Sequence, residues 1–198
     1  MCKWIYFALQ MHDLEPYYNW QHIYVSEEDE RSPFYGIEHS QFEYSSTIYN
    51  YYIHPQWDYF GSNTLYLKVL MADYDEGYVI IEMIGEWNDA VENDIMTLKR
   101  KVLEVFMKEG ICKFILIVEN VMNFHSSDSE YYEELYDELA DQEGWIICLN
   151  MPVQTQYDFN RLRLNRYVEL MNIENWRVYK PYHLFKKIDD ELSRRLPL

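Results

Sequence analysis

The sequence predicts an α/β protein: a mixed β-sheet with helices packed on it, preceded by an aromatic extension of strands and loops. Three observations carry this expectation. From residue 65 onward, apolar runs of strand length alternate with segments of helical period, the pattern of strands linked by crossover helices. The run Phe114-Ile115-Leu116-Ile117-Val118 is apolar at every position, as a central strand covered on both faces must be. Ahead of it, two apolar segments flank Asp73-Tyr74-Asp75-Glu76-Gly77, a hairpin turn in which glycine can take the positive φ.

Taken in order, residues 1–63 form the aromatic extension and residues 64–198 the α/β domain. The boundary is compositional. Thirteen of the 20 tyrosines lie in residues 1–78 and four of the six histidines (His12, His22, His39, His54) precede residue 55, whereas every helix-periodic segment comes later. The acidic run Ser26-Glu27-Glu28-Asp29-Glu30-Arg31-Ser32-Pro33 is expected to be a solvated loop. Residues 42–54, rich in tyrosine, threonine and isoleucine and stopped by Pro55, are expected to form one strand. Residues 65–71 and 78–84 are then an antiparallel pair.

The clearest helix follows. Val91, Ile95, Leu98, Val102, Val105 and Phe106 keep one face at helical spacing, with acids and bases on the other. Asp89-x-x-Glu92 has the form of a capping box, and Gly110 stands where a C′ glycine belongs. Residues 111–121 form the central strand. Ser127-x-x-Glu130 should cap a second helix carrying Leu135 and Leu139 and closing near Gly144. After it come a strand over 145–149, a helix over 159–171, a short strand over 176–179, and a last helix over 182–196 with Leu184, Phe185 and Ile188 inward.

Composition narrows the function classes. With 198 residues, the chain can bury a full core in one domain plus an extension. Cys2, Cys112 and Cys148 are odd in number, and the last two lie in apolar runs, so all are expected to be reduced and structural, in a reducing compartment. The segment after Lys3 is briefly apolar but has no small-residue cleavage site, and no other stretch approaches a bilayer span, so a soluble, cytoplasmic protein is expected, with no membrane partner. The formal net charge is −17; residues 1–65 hold −7, residues 66–159 hold −14 and residues 160–198 hold +4. So acidic a body repels phosphate backbones, and no nucleic-acid partner is expected.

Two stretches are the candidate sites. The first is the junction His125, Ser126, Ser127, Asp128 and Ser129, at the carboxyl end of the central strand and the start of a helix. Free backbone N–H groups and the helix dipole could hold an anion or ligand there, a serine could accept a phosphate, or the run could simply cap the helix. The second is residues 49–60, with Tyr52, His54, Trp57 and Asp58. Its rings and polar tips suit a ring-bearing small-molecule ligand, a protein-interaction patch, or a core between the extension and the sheet. The histidines lack metal-ligand spacing, no Gly-x-Ser-x-Gly elbow occurs, and no metal, cofactor or catalytic residue is assigned.

From residue 64 to 196 the order of elements resembles the STAS domain of anti-sigma factor antagonists and the SpoIIAA-like proteins. In that family an apolar strand runs into Asp-Ser-small-Gly, and its serine is a phosphorylation switch. Ser126 matches the switch serine and Ser127 the small residue, while His125 stands in place of the aspartate and Asp128 in place of the glycine. The resemblance implies a non-enzymatic regulatory domain that binds a protein partner, modulated at Ser126 or Ser127. The alternative is a small-molecule binding protein or enzyme with the aromatic stretch and the junction as two walls of one pocket; self-association into a homo-oligomer is a third.

Overall fold

A computed structural model describes residues 10–11, 14–40, 42–49, 51–126 and 128–195. Three two-residue strands come first, β1 (Gln10–Met11), β2 (Thr47–Ile48) and β3 (Tyr51–Tyr52). They make a small sheet with β3 in the middle, parallel to β1 and antiparallel to β2. The single strand expected over 42–54 is therefore a hairpin, turned at Tyr49 with φ +52. Its tyrosine content signals β propensity but not the reversal.

The main sheet follows as β4 (Leu65–Asp73), β5 (Tyr78–Asn88), β6 (Lys113–His125), β7 (Trp145–Leu149) and β8 (Glu169–Met171). The strands lie in chain order, with β4 antiparallel to β5 and all later pairs parallel. This is the mixed α/β sheet that the alternation of strands and helices predicts. Because side chains alternate across a strand, the continuous apolar runs of β5 and β6 feed two cores. Val79, Ile81, Met83, Phe114, Leu116 and Val118 face one, and Tyr78, Ile80, Ile115 and Ile117 the other.

The first core is roofed by α1 (Asp94–Leu98), α2 (Glu104–Lys108), α3 (Glu130–Ala140) and α4 (Val153–Arg161). A π-helical turn, Lys99–Leu103, joins α1 to α2. The second core is closed by α5 (Pro181–Arg195), which buries Leu184, Phe185, Ile188 and Leu192. At roughly 2 kcal/mol per buried side chain, these four hold the helix with about 8 kcal/mol before its ordering cost. The amino-terminal extension covers the rest of that face through Trp20, Ile53 and Trp57. Cys112 and Cys148 are free thiols, and burial pushes Cys148 up to about 12.

Several local expectations are corrected. The first helix begins at Asp94, not beyond a capping box at Asp89; Val91 lies outside it and is exposed. Asp89 instead accepts the Ile95 N–H from outside the helix, at 2.8 Å. The face expected to be solvated carries Lys99, which is wholly buried. The helix expected over 159–171 overlaps only the last three residues of α4, which is followed by a 3-10 turn (Leu164–Arg166) and β8. Buried Leu164, Val168 and Met171 mimic a helical spacing, but Arg163 at φ +58 ends the helix. The strand expected over 176–179 is a 3-10 turn, Trp176–Val178, entered through Asn175 at φ +55. The acidic loop is not simply solvated: Tyr24 and Tyr74 both donate to Asp29, and Ser26 and Ser32 are buried.

Candidate functional site

The carboxyl ends of β5 and β6 and the amino ends of α1 and α3 meet at Asp89. Its backbone N–H and that of Ala90 donate to the His125 carbonyl at 2.7 and 3.2 Å. Its Oδ1 accepts the Trp87 indole N–H and the Ile95 N–H, each at 2.8 Å, and its Oδ2 accepts the Tyr132 hydroxyl at 2.6 Å. One carboxylate thus ties two strands to two helices. Burial pushes the Asp89 carboxyl up, and bonds from Tyr132, Ile95, Trp87 and Ser126 pull it back. Asp94, which is fully buried, accepts the Asn88 N–H at 2.7 Å, and burial raises it to about 6.

Ser126 lies against this hub. Its hydroxyl donates to the Asp128 carbonyl at 2.9 Å, and its nearness helps to hold the Asp89 carboxyl down. Ser126 and Ser129 are half-buried, whereas His125 and Asp128 are exposed. Ser127, with the capping role expected of it, lies outside the described residues. At the start of α3, Ser129 makes no side-chain capping bond; Asp128 Oδ1 accepts the Glu130 N–H at 3.3 Å instead. Glu130 and Glu133 in the first turn make this an acidic helix start. The helix dipole favours an anion there, and the neighbouring carboxylates oppose one.

The aromatic stretch divides by exposure. Ile53, Trp57 and Phe60 are buried, and the Trp57 indole donates to the Leu14 carbonyl at 2.8 Å. Tyr49, Tyr51 and Tyr59 are exposed, and Tyr52 is half-buried. Asp58 bridges Leu67 on the outer edge of β4. His54 lies in the same region, 3.4 Å from the Glu15 carboxylate, lining a cleft of about 310 Å³. The junction belongs to β6, two strands away. Among the described residues, that cleft is lined by His54 and by none of the junction residues.

A second hollow lies between the hairpin and the sheet. Ile48, Tyr49 and Tyr51 from the hairpin, Ile84 and Glu86 from β5, and Asn120 and Met122 from β6 line a groove of about 290 Å³. Its wall is open because β6 carries extra residues against β5 between Glu82 and Ile84 and again between Gly85 and Glu86. Gly85 is needed there: at φ +122, a Cβ on it would lie 2.1 Å from the Thr64 carbonyl oxygen.

Two ionic clusters escape the sequence. In the first, the His39 Nε2 is 2.8 Å from Asp58 and 3.0 Å from Glu27, and its Nδ1 lies 2.9 Å from the Pro55 carbonyl. Lys68 bonds Glu27 and lies 3.3 Å from Asp58. Asp58 and Glu27 raise His39 to about 9. Burial would raise Glu27, but His39 and Lys68 hold it near 2. Glu27, His39 and Asp58 are a donor set of the kind a divalent ion uses, yet the Lys68 ammonium already supplies the cation. The only hint in the sequence is a lysine inside the apolar run of β4.

In the second cluster, Glu82 is buried under the extension. It accepts the Tyr17 N–H at 2.7 Å, and Arg177 lies 3.3 Å away while also bonding Glu119. Burial lifts the Glu82 carboxyl to about 7, with the charge of Glu119 adding and Arg177 opposing. The indole of Trp176 donates to Glu119 at 3.2 Å, and that of Trp20 to the Tyr179 carbonyl, also at 3.2 Å. Amino-terminal and carboxyl-terminal segments are joined here across the sheet.

No protein-family model and no curated protein matches this sequence. Among solved structures, the chain is similar to the anti-sigma factor antagonist SpoIIAA in its unphosphorylated form. The two share 15% identity with a TM-score of 0.47, over 63% of this chain and 96% of that one. It is also similar to the phosphorylated form of the Bacillus cell fate determinant SpoIIAA, at 16% identity and a TM-score of 0.42, over 62% of this chain and 98% of that one.

Proposed function

We propose that this chain is a regulatory protein-interaction domain, with the β6–α3 junction as its point of control and Ser126 or Ser127 as the modifiable group. The observation that carries the reading is the place of Ser126, half-buried where the His125 carbonyl takes the Asp89 and Ala90 N–H groups, with its hydroxyl on the Asp128 carbonyl at 2.9 Å. A phosphate on Ser126 adds about −1.5 to −2 charge near a half-buried carboxylate that holds Trp87, Ile95 and Tyr132. The phosphoryl group would replace the hydroxyl proton, the bond to the Asp128 carbonyl would be lost, and the phosphate and the Asp89 carboxylate would repel. Relief requires the β5–α1 loop or the start of α3 to move, so the modification acts as a release signal for whatever docks on that rim.

The test is crosslinking capture from the native host with wild type and a Ser126→Asp, Ser127→Asp double variant, with phosphosite mapping of the bait by mass spectrometry. A specific partner held by wild type and lost by the variant, or a phosphate on either serine, supports the reading. An unmodified bait with no partner overturns it.

A further inference from the structure

We infer that the groove between the β2–β3 hairpin and β6 seats a cationic segment of a partner protein, anchored by one apolar side chain. The inference rests on the protein-interaction reading above and names the partner's chemistry. The groove offers an apolar seat: Leu14, Ile48, Ile53 and Ile84 line it, and Tyr51 and Met122 stand at its rim 45% and 57% exposed. Large apolar side chains left open around a hollow are the usual form of an anchor pocket.

Charge selects the occupant. Apart from the two tyrosines, the only ionisable side chain among the described lining residues is Glu86, which accepts from both the Tyr49 hydroxyl and the Asn123 amide. The bond to Glu86 raises the Tyr49 hydroxyl, and the charge of Glu92 adds a smaller push in the same direction. No lysine, arginine or histidine lines the groove among the described residues. An acidic segment would meet the Glu86 carboxylate with no lining cation to offset it, whereas lysine or arginine beside the anchor meets Glu86 and the acidic body behind it. The groove also holds Asn120, whose Nδ2 is buried without an acceptor among the described residues. Such a donor is costly, and a main-chain carbonyl brought by a bound segment would answer it.

The probes are three pools of fluorescein-labelled nonapeptides. The first has leucine, isoleucine or phenylalanine at the centre and lysine or arginine on both sides; the second has glutamate on both sides; the third keeps the basic flanks around a central serine. Binding to the full chain is read by fluorescence anisotropy. The basic, apolar-centred pool should bind about tenfold tighter than either control, and Tyr51→Ser or Met122→Ser should each weaken it about fivefold. Val178→Ser, at an exposed position outside the groove, should leave binding unchanged. Equal binding of the glutamate-flanked pool, or full binding by Met122→Ser, overturns the inference. A partner captured in the crosslinking experiment and indifferent to Met122→Ser likewise sinks the groove while leaving the interaction reading intact; an empty capture sinks that reading itself.

Discussion

Glu82→Gln should change how stability depends on pH, in one sense only. The Glu82 carboxyl titrates near 7 in the folded chain, against 4.5 ordinarily. Between those values the folded state keeps a proton that the unfolded state has lost, so raising the pH costs the folded state. The contribution is complete below about pH 4.5 and is lost as pH rises through about 7. At 1.36 kcal/mol per pH interval of one, the difference amounts to about 3 kcal/mol. Glutamine keeps an acceptor for the Tyr17 N–H and cannot ionise, so the variant escapes this loss. It also forfeits the contact with Arg177, but that cost sits above the titration and does not reverse its sign. The assay is urea unfolding followed by tryptophan fluorescence, since Trp20 and Trp176 lie in this region. The stability of Glu82→Gln minus that of wild type should rise by about 3 kcal/mol from about pH 4.5 to about pH 8. Asp89, Asp94 and His39 titrate in both proteins and cancel in the difference. A flat or falling difference would refute the argument that burial outweighs Arg177.

Lys99 has no exposed surface and lies 2.9, 3.0 and 3.5 Å from Glu138, Glu134 and Glu104. Lys99→Ala should cost roughly 3 kcal/mol in urea unfolding, and Lys99→Met, which keeps the stem packed, about 1 kcal/mol. Gly85→Ala should cost at least about 3 kcal/mol, because the methyl group strikes the Thr64 carbonyl at a strained φ; a variant within about 1 kcal/mol of wild type would contradict that packing. His39, raised to about 9, contributes stability that is complete below about 6.5 and lost as pH rises through 9. His39→Gln should therefore show a smaller fall in melting temperature than wild type between about pH 7 and about pH 10, and an equal fall would contradict the cluster.

What the sequence made legible was whatever repeats a period. The hairpin around Gly77, the apolar β6, the glycine end of the first helix and the inward face of α5 all follow from alternation, spacing or turn chemistry. Reversals without glycine were opaque: Tyr49, Arg163 and Asn175 take positive φ, and nothing in their neighbours announces it. The junction was legible as a place, because a polar run at the end of an apolar strand has few alternatives. Its chemistry was not. Asp89 looked like a cap because its helix lies just ahead, but it bonds Tyr132 from a distant helix, a contact that only the fold creates. The same holds for Glu27, His39, Asp58 and Lys68, which arrive from separate segments.

β6 is longer than its support. Only Lys113–Ile117 pair with β7, while the remainder, through His125, pairs with β5 alone, and β5 in turn leaves β4 behind after Gly85. On the side away from β5, the Thr155 hydroxyl lies within bonding distance of the Val121 and Met122 carbonyls, at 3.0 and 3.2 Å. The outer part of the strand is held differently from its base: the five-stranded slab clamps residues 113–117, and farther out the support comes from β5, the Thr155 hydroxyl and the Asp89 and Ala90 N–H groups on the His125 carbonyl. With one strand neighbour instead of two, amide protons beyond residue 117 should exchange with solvent sooner than those of residues 113–117.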